Sequence, residues 1–260
     1  MRKSILITTV SVFTFLFLAL PMVVIIITAF GEAPIIQFPI RGFTFHWFSR
    51  VFASRSFMAG LRTSTEVALI ASVLGVIVAL PTSYALSKSN TRLSKALLSF
   101  FLSPNLIPGL VFSYALFQTM IIMFQIDVAI ALILGHLLIV LPFSIRVLGA
   151  AFNNFDESIE EAAYTLGCSP LLAFFKVILP NLFSPLLVSF LMSFINSFNN
   201  LPVSMYLMGP GTTTLPIVLM NHVEHSFDPS VSAISVLLMI MTFGLMFVVD
   251  KAVGVGSLSS

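Results

Sequence analysis

The sequence has 260 residues, of which 58% are hydrophobic and 8% are charged, and its mean hydropathy is +1.08. Soluble domains carry about 25% charged residues, so this composition excludes an ordinary soluble domain and indicates a protein that resides in the lipid bilayer. The net charge of +2 is too small and too scattered for a nucleic-acid-binding surface, so no nucleic-acid partner is predicted.

Motifs for hydrolytic chemistry are missing from the sequence. It contains no HExxH, GxSxG or P-loop pattern, so no catalytic residues are predicted and the chain is not expected to be an enzyme. The single cysteine, Cys168, excludes an internal disulfide.

Six apolar segments are long enough to cross a bilayer, since a transmembrane helix needs about 20 apolar residues. They predict an all-α membrane protein with six transmembrane helices. The predicted spans cover approximately residues 5–30, 63–86, 96–124, 128–148, 182–206 and 231–249. The first run is too long for the apolar core of a signal peptide, about 7–15 residues, so we expect an uncleaved helix although Ala29-Phe30-Gly31 could pass for a cleavage site.

The segment that joins the first two predicted spans, residues 31–61, interleaves aromatic residues with Arg41, Arg50 and Arg55. From Thr44 onward this pattern predicts an amphipathic helix at the membrane surface, where aromatic side chains anchor at headgroup depth.

The third predicted span is interrupted by Pro104-Asn105 and Pro108-Gly109. Such a break is tolerated only inside protein or along a watery cavity. Tyr114 and Gln118 follow one helical turn apart, and they could line a solute pathway or form hydrogen bonds across helices. The fourth span contains a lone histidine, His136. A lone buried histidine more often forms a hydrogen bond between helices than serves as a ligand. His136 nevertheless stays a candidate for the solute pathway.

A polar stretch after the fourth span predicts two short helices that meet at a sharp turn. Asn153, Asn154 or Asp156 can cap the first helix. Gly167 stands where a helix end favours a left-handed residue, and Ser169-Pro170 is typical of the start of a second helix. The residues alone support an ordinary polar helical hairpin equally well.

The fifth predicted span has a polar stripe, because Ser193, Asn196, Asn200 and Ser204 are spaced three or four apart and Asn199 lies beside them. Polar groups within lipid need partners, which are either other helices or a solute. We therefore predict a solute pathway here. Its candidate residues are Asn196, Asn199, Asn200, Ser193, Gln118, Tyr114 and His136.

A second loop, residues 207–230, contains His222, Glu224 and His225. These three could be imagined as metal ligands, but no further ligand residues lie near them at the spacing that a metal site requires. A hydrated loop is the better interpretation, and no metal site is predicted.

The distribution of basic residues predicts the orientation. Six spans place both ends on one side of the membrane, and the positive-inside rule favours the side with more Lys and Arg. With the termini in the cytoplasm, eight basic residues are inside: Arg2, Lys3, Lys88, Arg92, Lys95, Arg146, Lys176 and Lys251. The outer side, with loops at about 31–61 and 207–230, holds four: Arg41, Arg50 and Arg55 in the first loop, and Arg62 directly after it. The polar stretch is therefore predicted to be cytoplasmic.

That stretch resembles the EAA loop of the membrane subunits of binding-protein-dependent ATP-binding-cassette (ABC) importers. The similarity covers Glu161-Ala162-Ala163, Gly167 and Leu179-Pro180, with a fixed spacing from Glu to Gly. It implies that a coupling helix within a cytoplasmic loop, at about 149–180, docks on an ATPase subunit. The implied contact residues are Glu160, Glu161, Ala162, Ala163, Leu166, Gly167, Ser169 and Pro170.

Further segments resemble the spermidine/putrescine-type branch of these permeases. They are Gly42-Phe43-Thr44 to Trp47-Phe48, Leu134-Gly135-His136, Leu141-Pro142-Phe143, Thr214-Leu215-Pro216 and Asp228-Pro229. Members of that branch also import amino-acid derivatives, opines, phosphonates or ferric ion, so the resemblance implies a small polar solute without naming it. Where polyamine permeases have acidic residues, this chain has Asn199-Asn200, which weakens a polyamine assignment because amides carry no charge.

The resemblance also implies the assembly. It predicts a single permease domain over residues 1–260 in the bacterial inner membrane, with two ATPase subunits, a second and different permease chain, and an extracytoplasmic solute-binding protein. ATP and Mg²⁺ would act on the ATPases, and no cofactor is expected on this chain. The alternative is a secondary transporter or channel, which is disfavoured because the acidic residues cluster at the edges of spans and in loops. A membrane enzyme comes third, since no paired acids or metal ligands are found.

Overall fold

The computed structural model describes residues 2–226 and 228–253, and no β-strand occurs within these ranges. The helices are α1 (Arg2–Thr28), α2 (His46–Ala53), α3 (Arg55–Ser87), α4 (Arg92–Leu102), α5 (Gly109–Leu116), α6 (Val128–Asn153), α7 (Glu157–Thr165), α8 (Pro170–Ala173), α9 (Leu179–Asn181), α10 (Phe183–Phe198), α11 (Leu201–Tyr206), α12 (Leu215–His225) and α13 (Ser230–Val253). A 3-10 turn, Ser103–Leu106, follows α4. Two π-helical turns, Phe117–Met123 and Phe174–Ile178, follow α5 and α8. The all-α architecture predicted from the sequence is confirmed.

Four helical segments in the described ranges are long and apolar enough to cross a membrane alone. They are Ile7–Thr28, Arg55–Ser87, Val128–Asn153 and Ser230–Val248. Two further candidates are bent pairs: Arg92–Leu106 with Gly109–Met123, at 103°, and Pro170–Asn181 with Phe183–Phe198, at 71°. The number of spans reaches the predicted six when each bent pair counts as one.

The prolines explain the sharper bend. Pro104 lies in the 3-10 turn after α4, and Ile107 is extended (φ −89°, ψ 134°) before Pro108. A residue that precedes proline is pushed out of the α region, and proline itself cannot donate a helical hydrogen bond. The helix can therefore restart only at Gly109, in a new direction.

The second span begins earlier than its apolar run suggests. Ser54 is extended (ψ 115°) and separates α2 from α3, which then continues for 33 residues from Arg55 to Ser87. A helix rises 1.5 Å per residue, so α3 is longer than the roughly 30 Å hydrocarbon layer requires. The helix therefore begins before the predicted span start near residue 63, because hydropathy marks only the most apolar part of a helix.

The backbone divides into two compact units. The first comprises the chain up to Ala59 together with Val218–Phe243. Asp228 is central to this unit, since its carboxylate pairs with Arg50 at 3.1 Å and with His222 Nε2 at 3.1 Å. Burial raises the pKa of Asp228, but the hydrogen bonds from His222 and Ser230 outweigh it and hold the pKa below its ordinary value. His222 therefore faces Asp228, while His225 Nδ1 bonds the carbonyl of Asn221.

The second unit comprises Gly60–Ile217 and the described residues from Gly244 to Val253, and α6 and α10 form its centre. Its first buried cluster is Val67, Leu116, Ala131, Leu132, Val203 and Leu207. Its second is Ala79, Ile145, Leu148, Phe152, Ile178 and Leu182. A Cβ at Gly135 would stand 2.6 Å from Leu207 Cδ1 and 2.9 Å from Val203 Cγ1, so this glycine allows close packing in the first cluster. Small residues at helix contacts are typical of membrane bundles.

Candidate functional site

The polar stretch that resembles an EAA loop folds as α7, a tight turn and α8, and we call Glu157–Ala173 the Gly167 corner. Of the three predicted caps, Asp156 is the one used: its Oδ1 accepts a hydrogen bond from Ser158 N at 2.9 Å. The hydrogen bonds from Ser158 lower the pKa of Asp156. Glu157 and Glu160 then lie in the first turn, where the helix dipole favours negative charge.

Gly167 ends α7 in the left-handed conformation, with φ +83°. Cys168 N donates to Ala163 O and Gly167 N donates to Tyr164 O, both at 3.0 Å. These two bonds define a Schellman motif, which satisfies the last carbonyls of the helix. Ser169 Oγ then accepts from Leu172 N at 3.4 Å, and Pro170 is the first residue of α8. The predicted left-handed glycine and the predicted start of the second helix are both confirmed.

The corner presents an exposed face with an apolar component. Leu166 is 86% exposed and Leu171 is 72% exposed, although both lie in a polar stretch of the sequence. Six of the eight predicted contact residues are exposed: Glu161, Ala162, Leu166, Gly167, Ser169 and Pro170. Ala163, by contrast, is buried although Ala162 is exposed, because adjacent residues of a helix point about 100° apart.

Glu160, the remaining predicted contact residue, is only 4% exposed and is held within the chain. Its Oε1 accepts hydrogen bonds from the hydroxyls of Tyr84 and Tyr164, each at 2.5 Å. Its Oε2 lies 2.7 Å from Lys88 Nζ, which also lies 3.0 Å from Glu157 Oε1. We call Tyr84, Lys88, Glu160 and Tyr164 the Glu160 cluster. Sequence reasoning missed it, because Tyr84 and Glu160 are 76 residues apart.

The electrostatics of the cluster keep Glu160 charged. Burial raises the pKa of Glu160, but hydrogen bonds from Lys88, Tyr164 and Tyr84 outweigh it, so the pKa lies below the ordinary glutamate value. For Lys88, burial lowers the pKa, and the hydrogen bonds and charges of Glu160 and Glu157 more than compensate, so the pKa is raised. The hydrogen bond to Glu160 raises the pKa of Tyr164.

A second candidate site is an open cleft of about 180 Å³ between the broken helices. Asn105, from the break in the third span, lines the cleft together with Asn196 and Asn200, from the end of α10 and the start of α11. Asn200 also caps α11, since its Oδ1 accepts from Val203 N at 3.0 Å. Phe112 and Phe143 form apolar walls. The cleft thus combines amides with aromatic surface, a composition typical of sites for small polar molecules.

The other predicted pathway residues lie elsewhere. His136 is 1% exposed, and its ring nitrogens bond Ser197 Oγ at 2.8 Å and Ser204 Oγ at 3.2 Å. Ser193 is likewise buried against Ser144 Oγ at 2.8 Å. Both residues form hydrogen bonds between helices, as was predicted for His136.

Tyr114 and Gln118 bond each other at 2.8 Å, as their spacing suggests, and neither contributes to the lining of the cleft. Asn199 is exposed and also lies outside the lining. Asn105 does line the cleft, although its sequence context indicated only a helix break. Asn196 and Asn200 are therefore the predicted pathway residues that the structure brings together.

A family model described as "Binding-protein-dependent transport system inner membrane component" matches residues 71–254. This range includes both the Gly167 corner and the cleft. The chain belongs to this family. It is therefore a permease subunit of an ABC importer in the inner membrane, and as a transport component it leaves ATP hydrolysis to a separate subunit.

Curated relatives of this permease are similar over most of their length. It is 24% identical over 232 residues to the putrescine transport system permease protein PotI of Escherichia coli strain K12. The aligned region covers 86% of this chain and 82% of that protein. It is 24% identical over 230 residues to the spermidine/putrescine transport system permease protein PotC of Haemophilus influenzae, with 88% and 89% covered.

Solved structures share the fold of the permease. A chain of a bacterial ABC transporter that imports the acidic polysaccharide alginate is 19% identical, with a TM-score of 0.72 and 96% of each chain covered. A chain of the MetNI methionine ABC transporter in an inward-facing conformation is 18% identical, with a TM-score of 0.64, and covers 78% of this chain and 98% of that one.

Proposed function

We propose that this permease couples ATP hydrolysis on a partner subunit to the import of a small polar solute, and that the Gly167 corner is its contact with the ATPase. The observation that carries the proposal is the exposed face around Gly167. Leu166 and Leu171 stand on a turn that is otherwise fully capped, so these side chains are presented by a rigid element. Exposed apolar side chains rimmed by polar residues mark protein interaction sites. Glu161 and Ala162 extend this face along α7.

The assembly follows from the same resemblance. The complex contains two ATPase subunits, two permeases of different sequence and an extracytoplasmic solute-binding protein. ATP and Mg²⁺ bind to the ATPases. The termini and the Gly167 corner face the cytoplasm, as the positive-inside distribution supports. ATP binding draws the coupling helices together and opens the spans outward, and hydrolysis returns them, which is rocking driven by differential binding.

The solute contacts the cleft between the broken helices. Asn105, Asn196 and Asn200 each offer a carbonyl acceptor and an amide donor, so they can bind hydroxyl, amine or carboxylate groups without a charge of their own. The names of the relatives indicate putrescine and spermidine as their cargo, and a polyamine is one member of the proposed solute class. Amino-acid derivatives, opines and phosphonates are the others.

Purification of the permease from its native membrane in mild detergent tests the proposal. An ATPase subunit should purify with the permease, and the complex in vesicles should accumulate solute only with ATP and the solute-binding protein. A lone permease chain that moves solute without ATP would contradict the proposal and favour a secondary transporter.

The cleft is tested by one substitution made at two nearby positions. Asn196→Leu should lower the uptake rate about tenfold, since a lost hydrogen bond to the solute leaves a polar group unpaired. Asn199→Leu is the matched control, because Asn199 lies three residues away and outside the cleft lining. Initial rates of ATP-driven uptake provide the measurement. Equal rates in the two variants would contradict a solute contact at Asn196.

A further inference from the structure

Helix α7 is joined to its neighbours through short non-helical connections. On one side residues 154–156 separate it from α6, and on the other residues 166–169 separate it from α8. A nine-residue helix between two such segments could turn independently of the spans if only the covalent chain held it. A push on the exposed face of α7 would then be absorbed as rotation of α7.

The Glu160 cluster removes this freedom. Tyr84 is in the last turn of α3 and Lys88 directly follows that helix, so both side chains lie on one face four residues apart. They reach the two oxygens of the same carboxylate, at 2.5 Å and 2.7 Å. Hydrogen bonds to a charged group are about twice as strong as neutral ones, and their geometry is restrictive.

The end of α3 is itself fixed. The ring of Tyr84 contacts Phe152 at the end of α6, with centroids 5.4 Å apart, and Phe174 after α8, at 5.2 Å. One residue earlier, Ser83 Oγ donates to Ile145 O at 3.2 Å within the buried region. A force that reaches Glu160 is therefore delivered to the packed end of the second span and to α6 beside it.

We infer that Glu160 is a positioning residue that locks α7 to the end of α3, so that a displacement of the Gly167 corner by the ATPase moves the membrane helices. This inference rests on the proposed function. It assigns Glu160 and Glu161 different roles, although they are adjacent: Glu161 faces the partner subunit, and Glu160 transmits the motion within the permease.

The lock should not depend on pH in the physiological range. The pKa of Glu160 is held below its ordinary value and that of Lys88 above its ordinary value, so both groups stay charged at neutral pH. A carboxylate with a lowered pKa loses its stabilising contribution only when the pH falls below the ordinary glutamate range.

The test uses the complete complex with its ATPase and solute-binding protein in vesicles, and it measures solute molecules imported per ATP hydrolysed. Glu160→Ala should lower this ratio about tenfold or more, because three charge-assisted bonds are lost together. The ATPase subunit should still purify with the variant and still hydrolyse ATP, since the exposed face is unchanged. Glu66→Ala is the matched control: it removes the carboxylate of an exposed ion pair with Arg62, outside the Gly167 corner, and should leave the ratio unchanged.

Smaller changes keep the test decisive if Glu160→Ala does not fold. Tyr84→Phe and Lys88→Met each remove one donor on the α3 side, and each should lower the ratio several-fold. Glu160→Gln retains an acceptor oxygen and should fall between Glu160→Ala and the unchanged chain. An unchanged ratio in Glu160→Ala, or in both Tyr84→Phe and Lys88→Met, would overturn the inference. So would loss of the ATPase subunit from a folded Glu160→Ala permease, whereas failure of the unchanged permease to bind any ATPase would refute the proposed function itself.

Discussion

Replacement of Gly167 by proline is expected to abolish ATP-driven uptake while the chain still inserts into the membrane. Proline fixes φ near −65°, but Gly167 has φ +83°, so the turn cannot keep its conformation. Proline also lacks the N–H that Gly167 donates to Tyr164 O. In addition, Leu166 has ψ 7°, a conformation that a following proline disfavours. The Schellman motif is lost, and the exposed face is no longer presented to the ATPase.

Uptake into vesicles and the amount of permease in the membrane fraction are the two measurements. Gly167→Ala is the control, since no atom lies within 4 Å of the added Cβ and only the positive φ is strained, at a cost of about 1 kcal/mol. That variant should retain most of its uptake. Undiminished uptake in Gly167→Pro would refute a coupling role for the corner.

Leu166→Asp is expected to release the ATPase subunit from the permease. A leucine that becomes buried at an interface contributes about 1.5–3 kcal/mol, and a carboxylate in its place adds the desolvation of an unpaired charge. The combined loss corresponds to a decrease in affinity of about a hundredfold or more. The fold of the permease should be unaffected, because Leu166 is 86% exposed.

The amount of ATPase subunit that purifies with the permease measures this effect. Asn90→Asp is the control, since it adds the same charge at an exposed position outside the Gly167 corner, two residues before α4, where the helix dipole tolerates an anion. Equal recovery of the ATPase from Leu166→Asp and from the unchanged permease would show that the interface lies elsewhere.

The Gly167 corner could be predicted from the sequence because its signals are local. A cap, a left-handed glycine and a Ser-Pro helix start each act within a few residues, so their types and spacing determine the turn. The bend at Pro104 and Pro108 could be predicted for the same reason. Which side of α7 is buried could not be predicted. Ala163 is buried because α7 packs its inner side against the chain, which composition does not reveal.

The long-range contacts could not be predicted. Glu160 was expected to be a surface residue like Glu161, since an acidic residue in a polar stretch gives no sign of distant partners. Its partners Tyr84 and Lys88 belong to a different span. The cleft shows the same limit. The break of the third span was visible in the sequence, but only the fold brings Asn105 and Asn196 to one cleft and buries His136 between Ser197 and Ser204.

The side of the membrane on which the Gly167 corner lies, and what covers it there, can be measured at Cys168. This residue follows Gly167, is partly exposed and is the single cysteine of the chain, so it accepts one thiol-reactive probe without mutation. A membrane-impermeant maleimide should label Cys168 in inside-out vesicles stripped of the ATPase, and labelling should be blocked in intact cells and when the ATPase is added back. Labelling from outside intact cells, or labelling that the ATPase does not reduce, would contradict the account.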